Sequence, residues 1–160
     1  MNNRISFTFC IFSDEVHCTE LATLINQYIA DPMVGGTKLT ARQQLRLVDG
    51  LANHPSCFVL FTLVDQQIVG LATCFINFST FRAKSYINIH DLIIQNDFRG
   101  KGLGRRLLQQ IESIANERKY CKITLEVRED NFAAKALYTE LGFKDRIPMM
   151  HFWTKELSNQ

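Results

Sequence analysis

The stretch FRGKGLGRRLL, residues 98–108, places three glycines directly before a helical pattern of leucine and isoleucine. Glycine weakens a helix, because its backbone loses more conformational freedom on folding than that of any other residue. The stretch follows YINIHDLII, residues 86–94, an apolar segment typical of a strand. A strand, a glycine-rich turn and a helix in this order expose backbone N–H groups at the start of the helix, where anions bind.

Two common phosphate-binding loops are excluded by the spacing of the glycines. A P-loop requires G-x-x-x-x-G-K-[ST], but Lys101 is followed by Gly102. The dinucleotide fingerprint requires G-x-G-x-x-G, whereas this turn has G-x-G-x-G and continues with Arg105. The sequence therefore favours a different site for pyrophosphate or a similar anion. A plain turn that leads into a helix is the structural alternative.

The rest of the chain alternates between strand and helix patterns, in the order β, α, α, β, β, β, α, β, α, β. The last predicted strand is MMHFWTKEL, residues 149–157. A crossover helix joins the strand at 86–94 to the strand at 121–127, which predicts that these two strands are parallel. We find no repeat and no linker, so the sequence predicts one α/β (α+β) domain over residues 1–160.

The composition excludes several classes of partner. The net charge is +2, which gives no electrostatic argument for nucleic acid or a membrane surface. No apolar run approaches the length of a membrane span, and the N-terminal segment reads as a strand rather than a signal peptide. Five scattered cysteines without metal-type spacing predict reduced thiols, no metal site and a cytoplasmic protein.

Two segments carry a resemblance to a known family. R99-G-K-G-L-G104 resembles the R/Q-x-x-G-x-G/A signature of the GNAT superfamily of acetyl-CoA-dependent N-acetyltransferases. N131-F-A-A-K-A-L-Y-T-E-L-G-F143 resembles that family's N-x-x-A-x-x-L-Y-x-x-x-G-F segment, at matching spacing. The resemblance implies a mixed central sheet of about six to seven strands flanked by about four helices.

The resemblance also implies where the co-substrate acetyl-CoA binds. The coenzyme would lie between the strands at 86–94 and 121–127. Its pantetheine arm would pair with the backbone of Leu92, Ile93 and Ile94. Its pyrophosphate would contact the turn made of Arg99, Gly100, Lys101, Gly102, Leu103, Gly104 and Arg105. Asn131 would position the pantetheine arm, and the structural alternative for Asn131 is the N-cap of a helix.

Tyr138 matches the tyrosine that serves as general acid in the family, where it protonates the departing thiolate. The alternative is a core aromatic residue. For the general base, the first candidate is His90, which strand alternation places on the same face as Leu92 and Ile94. Asp91 would face the opposite side unless a bulge intervenes. Glu126, on the neighbouring strand, is a third candidate.

The resemblance assigns the acceptor pocket to residues 31–39 and 77–86. The second segment carries side chains suited to apolar walls and to attracting an acidic group, namely Phe78, Phe81, Arg82, Lys84 and Tyr86. The implied reaction is direct transfer of an acetyl group from acetyl-CoA to a primary amine in a ternary complex. The alternatives are an acyl-CoA-binding module without turnover, and a protein that kept only the fold. Whether the chain forms a homodimer is left open.

Overall fold

A computed structural model describes residues 4–157 of the chain. The helices and strands follow one another in this order: β1 Ile5–Phe9, α1 Glu15–Ile29, α2 Ala41–Ala52, β2 Cys57–Val64, β3 Gln67–Ser79, β4 Lys84–Ile94, α3 Leu103–Glu117, β5 Ile123–Leu125 and α4 Phe132–Glu140. A 3₁₀ turn, Asn96–Phe98, lies between β4 and α3. The expected α/β class is confirmed.

The sheet has the order β1-β2-β3-β4-β5. The first four strands run antiparallel to their neighbours, and β4 and β5 run parallel, as the crossover helix between them predicts. The described residues contain five strands in this sheet, fewer than the expected six to seven, together with four α-helices.

The predicted strand at 149–157 is wrong. These residues form no strand in the structure, and several of their large apolar side chains are exposed, namely Met149, Met150, Phe152, Trp153 and Leu157. An apolar, β-prone segment forms a strand only where its backbone can pair with a neighbouring strand, and sequence composition does not reveal whether such a neighbour is present.

The two faces of the sheet are covered by different helices. One cluster joins Leu21, Leu24 and Ile25 of α1 to Phe61 and Ile93 on β2 and β4. The other face contacts α3 through a cluster that includes Val64, Val69, Leu103, Ile94 and Phe98. The ends of β2 and β4 thus send side chains both to the α1 side and to the α3 side.

Side-chain caps define where the first two helices begin. The carboxylate of Asp14 accepts hydrogen bonds from the N–H groups of Val16 and His17 at the start of α1. At the start of α2, Thr40 and Gln43 form a reciprocal capping box.

The chain separates into two compact units, Met1–Glu126 and Val127–Gln160. The first unit holds the sheet with α1, α2 and α3. The second unit holds α4.

Candidate functional site

The edge of β4 that faces β5 opens partway along the strand. β4 and β5 pair over three positions only, and Ile89–Leu125 is the last pair. Just before the strands part, the side-chain amide of Asn88 donates to Oγ1 of Thr124 at 3.1 Å. Leu92, Ile93 and Ile94, the residues expected to pair with a pantetheine arm, lie in the part of β4 beyond this last pair.

The glycine turn follows the open part of β4, and its conformation explains two of the three glycines. Gly100 has a φ angle of +73° and Gly102 a φ angle of +75°, in the left-handed region that L side chains rarely adopt. A Cβ atom built at either position would meet no other atom within 4 Å. The backbone conformation therefore favours glycine at both positions, and the space beside both residues is open.

Gly102 is the N-cap of α3, and no side chain caps this helix. The first N–H groups of any helix lack partners within the helix, so Leu103 and Gly104 present donors at its start. Gly104 has no positive φ angle and lies within the helix, where alanine is more favourable. The absence of a Cβ atom at Gly104 is explained if a bulky group approaches the helix N-terminus.

Two basic side chains of the turn already have partners. Arg99 donates from Nε to the carbonyl oxygen of Ile94 at 2.9 Å, and its Nη1 lies 2.9 Å from Oδ2 of Asp31. The backbone N–H of Arg99 donates to the oxygen of Asn96 at 3.1 Å. Lys101 places its Nζ 5.0 Å from the centre of the Phe98 ring. Arg105 follows in the first turn of α3 and is half-buried.

β4 contains a bulge at His90. Thr73 of β3 pairs with Asp91, but the next residue, Cys74, pairs with Ile89, so His90 is an extra residue without a partner on β3. A bulge reverses the alternation of side chains beyond it. Strand alternation places Asp91 on the opposite face of the strand unless a bulge intervenes, and the structure has such a bulge.

The expectation that His90 shares a face with Leu92 and Ile94 is wrong, because of the bulge. Ile94 belongs to the cluster on the α3 side. The ring of His90 instead packs edge-on against Phe75, with centroids 5.6 Å apart. Phe75 lies on the same face of β3 as Thr73, the partner of Asp91. His90 and Asp91 therefore point to the α1 side together.

The surroundings of Asp91 make its carboxylate more basic than an exposed one. Burial raises the pKa of its carboxyl group above the ordinary value, while the charge of His90 and the hydroxyl of Thr73 act in the opposite direction. The thiol of Cys57 lies near enough that the Asp91 charge, after burial, contributes to raising the pKa of Cys57 to about 11. A carboxylate with a raised pKa is a better proton acceptor than an ordinary one.

Glu126, the third candidate, directly follows β5 and is exposed. It comes one residue after Leu125, whose partner on β4 is Ile89, so it follows the last pair just as His90 does. The structure thus places Glu126, His90 and Asp91 at the point where β4 and β5 part.

The second unit carries the other two predicted site residues. Asn131 is the N-cap of α4, and its Oδ1 accepts from the N–H of Ala134 at 3.2 Å, so the capping role is confirmed. Tyr138 is half-buried on α4, and its ring lies 5.8 Å from that of Phe143. The N–H of Phe143 donates to the backbone oxygen of Tyr138 at 2.9 Å.

Two of the side chains expected to border an acceptor, Arg82 and Tyr86, contact other parts of the protein. Arg82 donates from Nη1 to the carbonyl oxygen of Cys121 at 2.9 Å, so it ties the β3–β4 turn to the segment before β5. The ring of Tyr86 is covered by the ammonium group of Lys122 at 4.4 Å. Phe78, Phe81 and Lys84 are exposed.

Sequence reasoning missed Asp31 as a partner of the glycine turn. Asp31 lies directly after the C-cap of α1, far from Arg99 in sequence. An ion pair between residues so far apart leaves no local pattern.

No group of three or more His, Cys, Asp or Glu side chains is arranged to hold a metal ion within residues 4–157. In the same part of the chain, no helix combines the length and the apolar character needed to cross a membrane.

Comparison with known proteins agrees with the geometry. A crystal structure of ribosomal-protein-alanine N-acetyltransferase from Brucella melitensis biovar Abortus 2308 has the same fold, with a TM-score of 0.69 and 16% sequence identity, over 98% of this chain and 100% of that chain. An uncharacterised N-acetyltransferase of Archaeoglobus fulgidus is 33% identical over 81 residues, which cover 50% of this chain and 55% of the relative.

Glucosamine 6-phosphate N-acetyltransferase 1 of Dictyostelium discoideum is 27% identical over 101 residues, which cover 59% of this chain and 62% of the relative. The matched segments thus span less than two thirds of the length of these two curated relatives. The sequence profile of the acetyltransferase (GNAT) family matches residues 22–143, which is most of the chain and includes both motifs. The chain therefore belongs to the GNAT family of acetyltransferases.

Proposed function

We propose that this protein transfers the acetyl group of acetyl-CoA directly to a primary amine, within a ternary complex of enzyme, coenzyme and acceptor. The family supports acyl transfer from acetyl-CoA in general. The observation that supports direct transfer in a ternary complex is the open edge of β4, which leads into the glycine turn and the start of α3, where no side chain caps the helix.

The coenzyme fits this arrangement by its chemistry. The pantetheine arm has amide groups that can pair as a strand would with the edge of β4 at Leu92, Ile93 and Ile94, where β5 no longer pairs. The carbonyl oxygen of Ile94 already accepts from Arg99. The pyrophosphate is a bulky anion. The N–H groups of Gly102, Leu103 and Gly104 offer it hydrogen-bond donors at the N-terminus of α3, where the helix dipole gives a partial positive charge. Lys101 adds a full positive charge beside them, whereas the side chain of Arg99 is held by Asp31.

We assign the role of general base to Asp91 in preference to His90 and Glu126. An amine reaches the enzyme mostly as an ammonium ion and must lose a proton before its nitrogen attacks the thioester carbonyl carbon. Asp91 accepts this proton on its carboxylate, which is half-buried and has a raised pKa. His90 lies beside Asp91, and its ring packs edge-on against Phe75. The charge of His90 lowers the pKa of Asp91, against the larger effect of burial.

The remaining charges of the reaction are handled by backbone and phenol groups. As the amine attacks, negative charge develops on the carbonyl oxygen, and an N–H group on the open part of β4 stabilises it. When the C–S bond breaks, the thiolate takes a proton from the hydroxyl of Tyr138, a role that rests on the sequence motif. We also propose that residues 1–160 work as one acetyltransferase domain, because the family match extends over both compact units.

Calorimetric titration with acetyl-CoA tests the coenzyme site. The wild-type protein should bind acetyl-CoA, and a hundredfold excess of coenzyme over its dissociation constant should stabilise the fold by about 2.7 kcal/mol. Gly102→Glu places a carboxylate at the anion site and should abolish both effects. Equal binding by the variant and the wild type would refute the site, and binding without acetyl transfer to any amine would favour the acyl-CoA-sensing alternative.

A further inference from the structure

A side-chain bridge joins the glycine turn to the loop after α1. Arg99 is the first residue of the turn, and its Nε donates to the carbonyl oxygen of Ile94 at 2.9 Å. Its Nη1 lies 2.9 Å from Oδ2 of Asp31, the first residue after the C-cap of α1. One guanidinium group thus contacts both the last residue of β4 and a carboxylate from a distant part of the sequence.

Asp31 is itself held by its own loop. Its Oδ1 accepts from the N–H of Met33 at 2.9 Å, and its backbone oxygen accepts from the N–H groups of Val34 and Gly35 at 2.8 Å each. The bond from Met33, followed by the contact with Arg99, holds the pKa of Asp31 below its ordinary value. The carboxylate is therefore ionised at neutral pH and engaged at both oxygens.

The loop that carries Asp31 closes on itself. The N–H of Gly36 donates to the oxygen of Ile29 at 2.9 Å, and a Cβ atom at Gly36 would lie 2.8 Å from Cγ2 of Ile29. The loop is therefore tight and offers the bridge a fixed anchor.

The side chain of Arg99 is 48% exposed, so the ion pair contributes little to folding. Its geometry acts instead on the path by which the chain leaves β4. We propose that Asp31 is a positioning residue that, through Arg99, holds the glycine turn in the conformation that binds the coenzyme pyrophosphate. This inference rests on the proposed function, which places the pyrophosphate at that turn.

The direction of the effect separates positioning from simple electrostatics. Pyrophosphate is an anion, so removal of a nearby carboxylate strengthens its binding if that carboxylate only repels it. If the carboxylate positions the turn, Asp31→Asn weakens binding although it removes a negative charge. A matched control is Asp97→Asn, because Asp97 is an exposed carboxylate in the 3₁₀ turn just before the glycines and takes no part in the bridge.

The experiment is calorimetric titration of acetyl-CoA into the full chain and its variants. We expect the dissociation constant to rise roughly tenfold in Asp31→Asn. It should return toward the wild-type value in Asp31→Glu, which keeps the carboxylate, and should stay equal or fall in Asp97→Asn. Arg99→Lys keeps the charge but lacks the planar fork, so it should weaken binding as Asp31→Asn does.

A double variant tests whether the two residues act as a unit. Asp31→Asn combined with Arg99→Lys should bind no more weakly than the worse single variant. If the wild type binds and Asp31→Asn binds equally or more tightly, the positioning role is overturned while the proposed function stands. If the wild type does not bind acetyl-CoA, the proposed function itself fails. Should Asp31→Asn not fold, Arg99→Lys and Asp31→Glu carry the same test.

Discussion

The ring of His90 packs edge-on against the ring of Phe75, with the two centroids 5.6 Å apart. This contact holds the bulged residue of β4 on the face of the sheet that also carries Asp91. His90 is therefore a neighbour of the proposed base, and its positive charge lowers the pKa of Asp91 against the larger, opposite effect of burial.

His90→Gln should move the acid limb of the pH–rate profile to higher pH. The variant removes a positive charge that favours the ionised form of Asp91, so the pKa of Asp91 rises further and more alkaline solution is needed to ionise it. The measurement is the rate of acetyl transfer against pH, with two acceptors of different basicity to separate the ionisation of the amine.

His54→Gln is the matched control for this experiment. His54 also packs edge-on against Phe75, at 4.9 Å, but it is not among the groups that shift the pKa of Asp91. Its acid limb should coincide with that of the wild type. Loss of the acid limb in His90→Gln would instead make His90 the base.

Asp91→Asn should raise the thermal stability of the protein near neutral pH. Burial raises the folded-state pKa of Asp91 above its unfolded value of 3.8, so the folded state favours the protonated carboxyl. The stabilisation from that proton is present below the unfolded pKa and is lost as the pH rises through the folded pKa. At neutral pH the buried carboxylate is thus a cost that asparagine removes.

Melting temperatures of Asp91→Asn and the wild type, compared between pH 3 and pH 7, check this account. The difference should be small at the acid end and should grow in favour of the variant as the pH rises. A variant that is less stable than the wild type at neutral pH would show that the charge of Asp91 is favourably paired.

Gly102→Ala should destabilise the protein by about 1 kcal/mol, because alanine must adopt a positive φ angle at that position. Gly50→Ala is the control. Gly50 lies within α2 without a positive φ angle and with no atom within 4 Å of an added Cβ, so alanine should stabilise the helix by roughly 0.5–1 kcal/mol. Urea unfolding of both variants measures the two changes, and equal signs would contradict the assignment of the turn.

Tyr138→Phe should bind acetyl-CoA normally and transfer acetyl groups roughly 10²-fold more slowly, because phenylalanine has no proton to give to the thiolate. Tyr120→Phe, outside the family motif, should leave the rate unchanged. Steady-state rates at saturating coenzyme distinguish the two. A normal rate in Tyr138→Phe would rule out the general-acid role of Tyr138.

The sequence predicts the fold where local chemistry is sufficient. The glycine turn, the cap by Asp14 and the capping box at Thr40 depend on residues that are close in sequence. The parallel pairing of β4 and β5 follows from the crossover helix between them. The positive φ angles of Gly100 and Gly102 give the physical reason for two glycines that precede α3.

The face on which His90 lies could not be predicted, because it depends on a bulge. The pattern of residues 86–94 reads as a regular strand, and the extra residue becomes visible only in the register with β3. The bridge between Asp31 and Arg99 depends likewise on contact between distant segments. The strand predicted at 149–157 is absent for a similar reason. Whether a segment forms a strand depends on a neighbouring strand to pair with, and composition does not show whether one is present.

The most direct test of the account is amine-dependent release of the coenzyme thiol from acetyl-CoA. The acceptors should include an amino sugar phosphate, free lysine and a peptide with a free N-terminus, and wild type should be compared with Asp91→Asn. We expect thiol release that requires both protein and one class of amine, and a rate at least about 10²-fold lower in Asp91→Asn. Bound acetyl-CoA without amine-dependent release, or equal rates in the two proteins, would contradict the account.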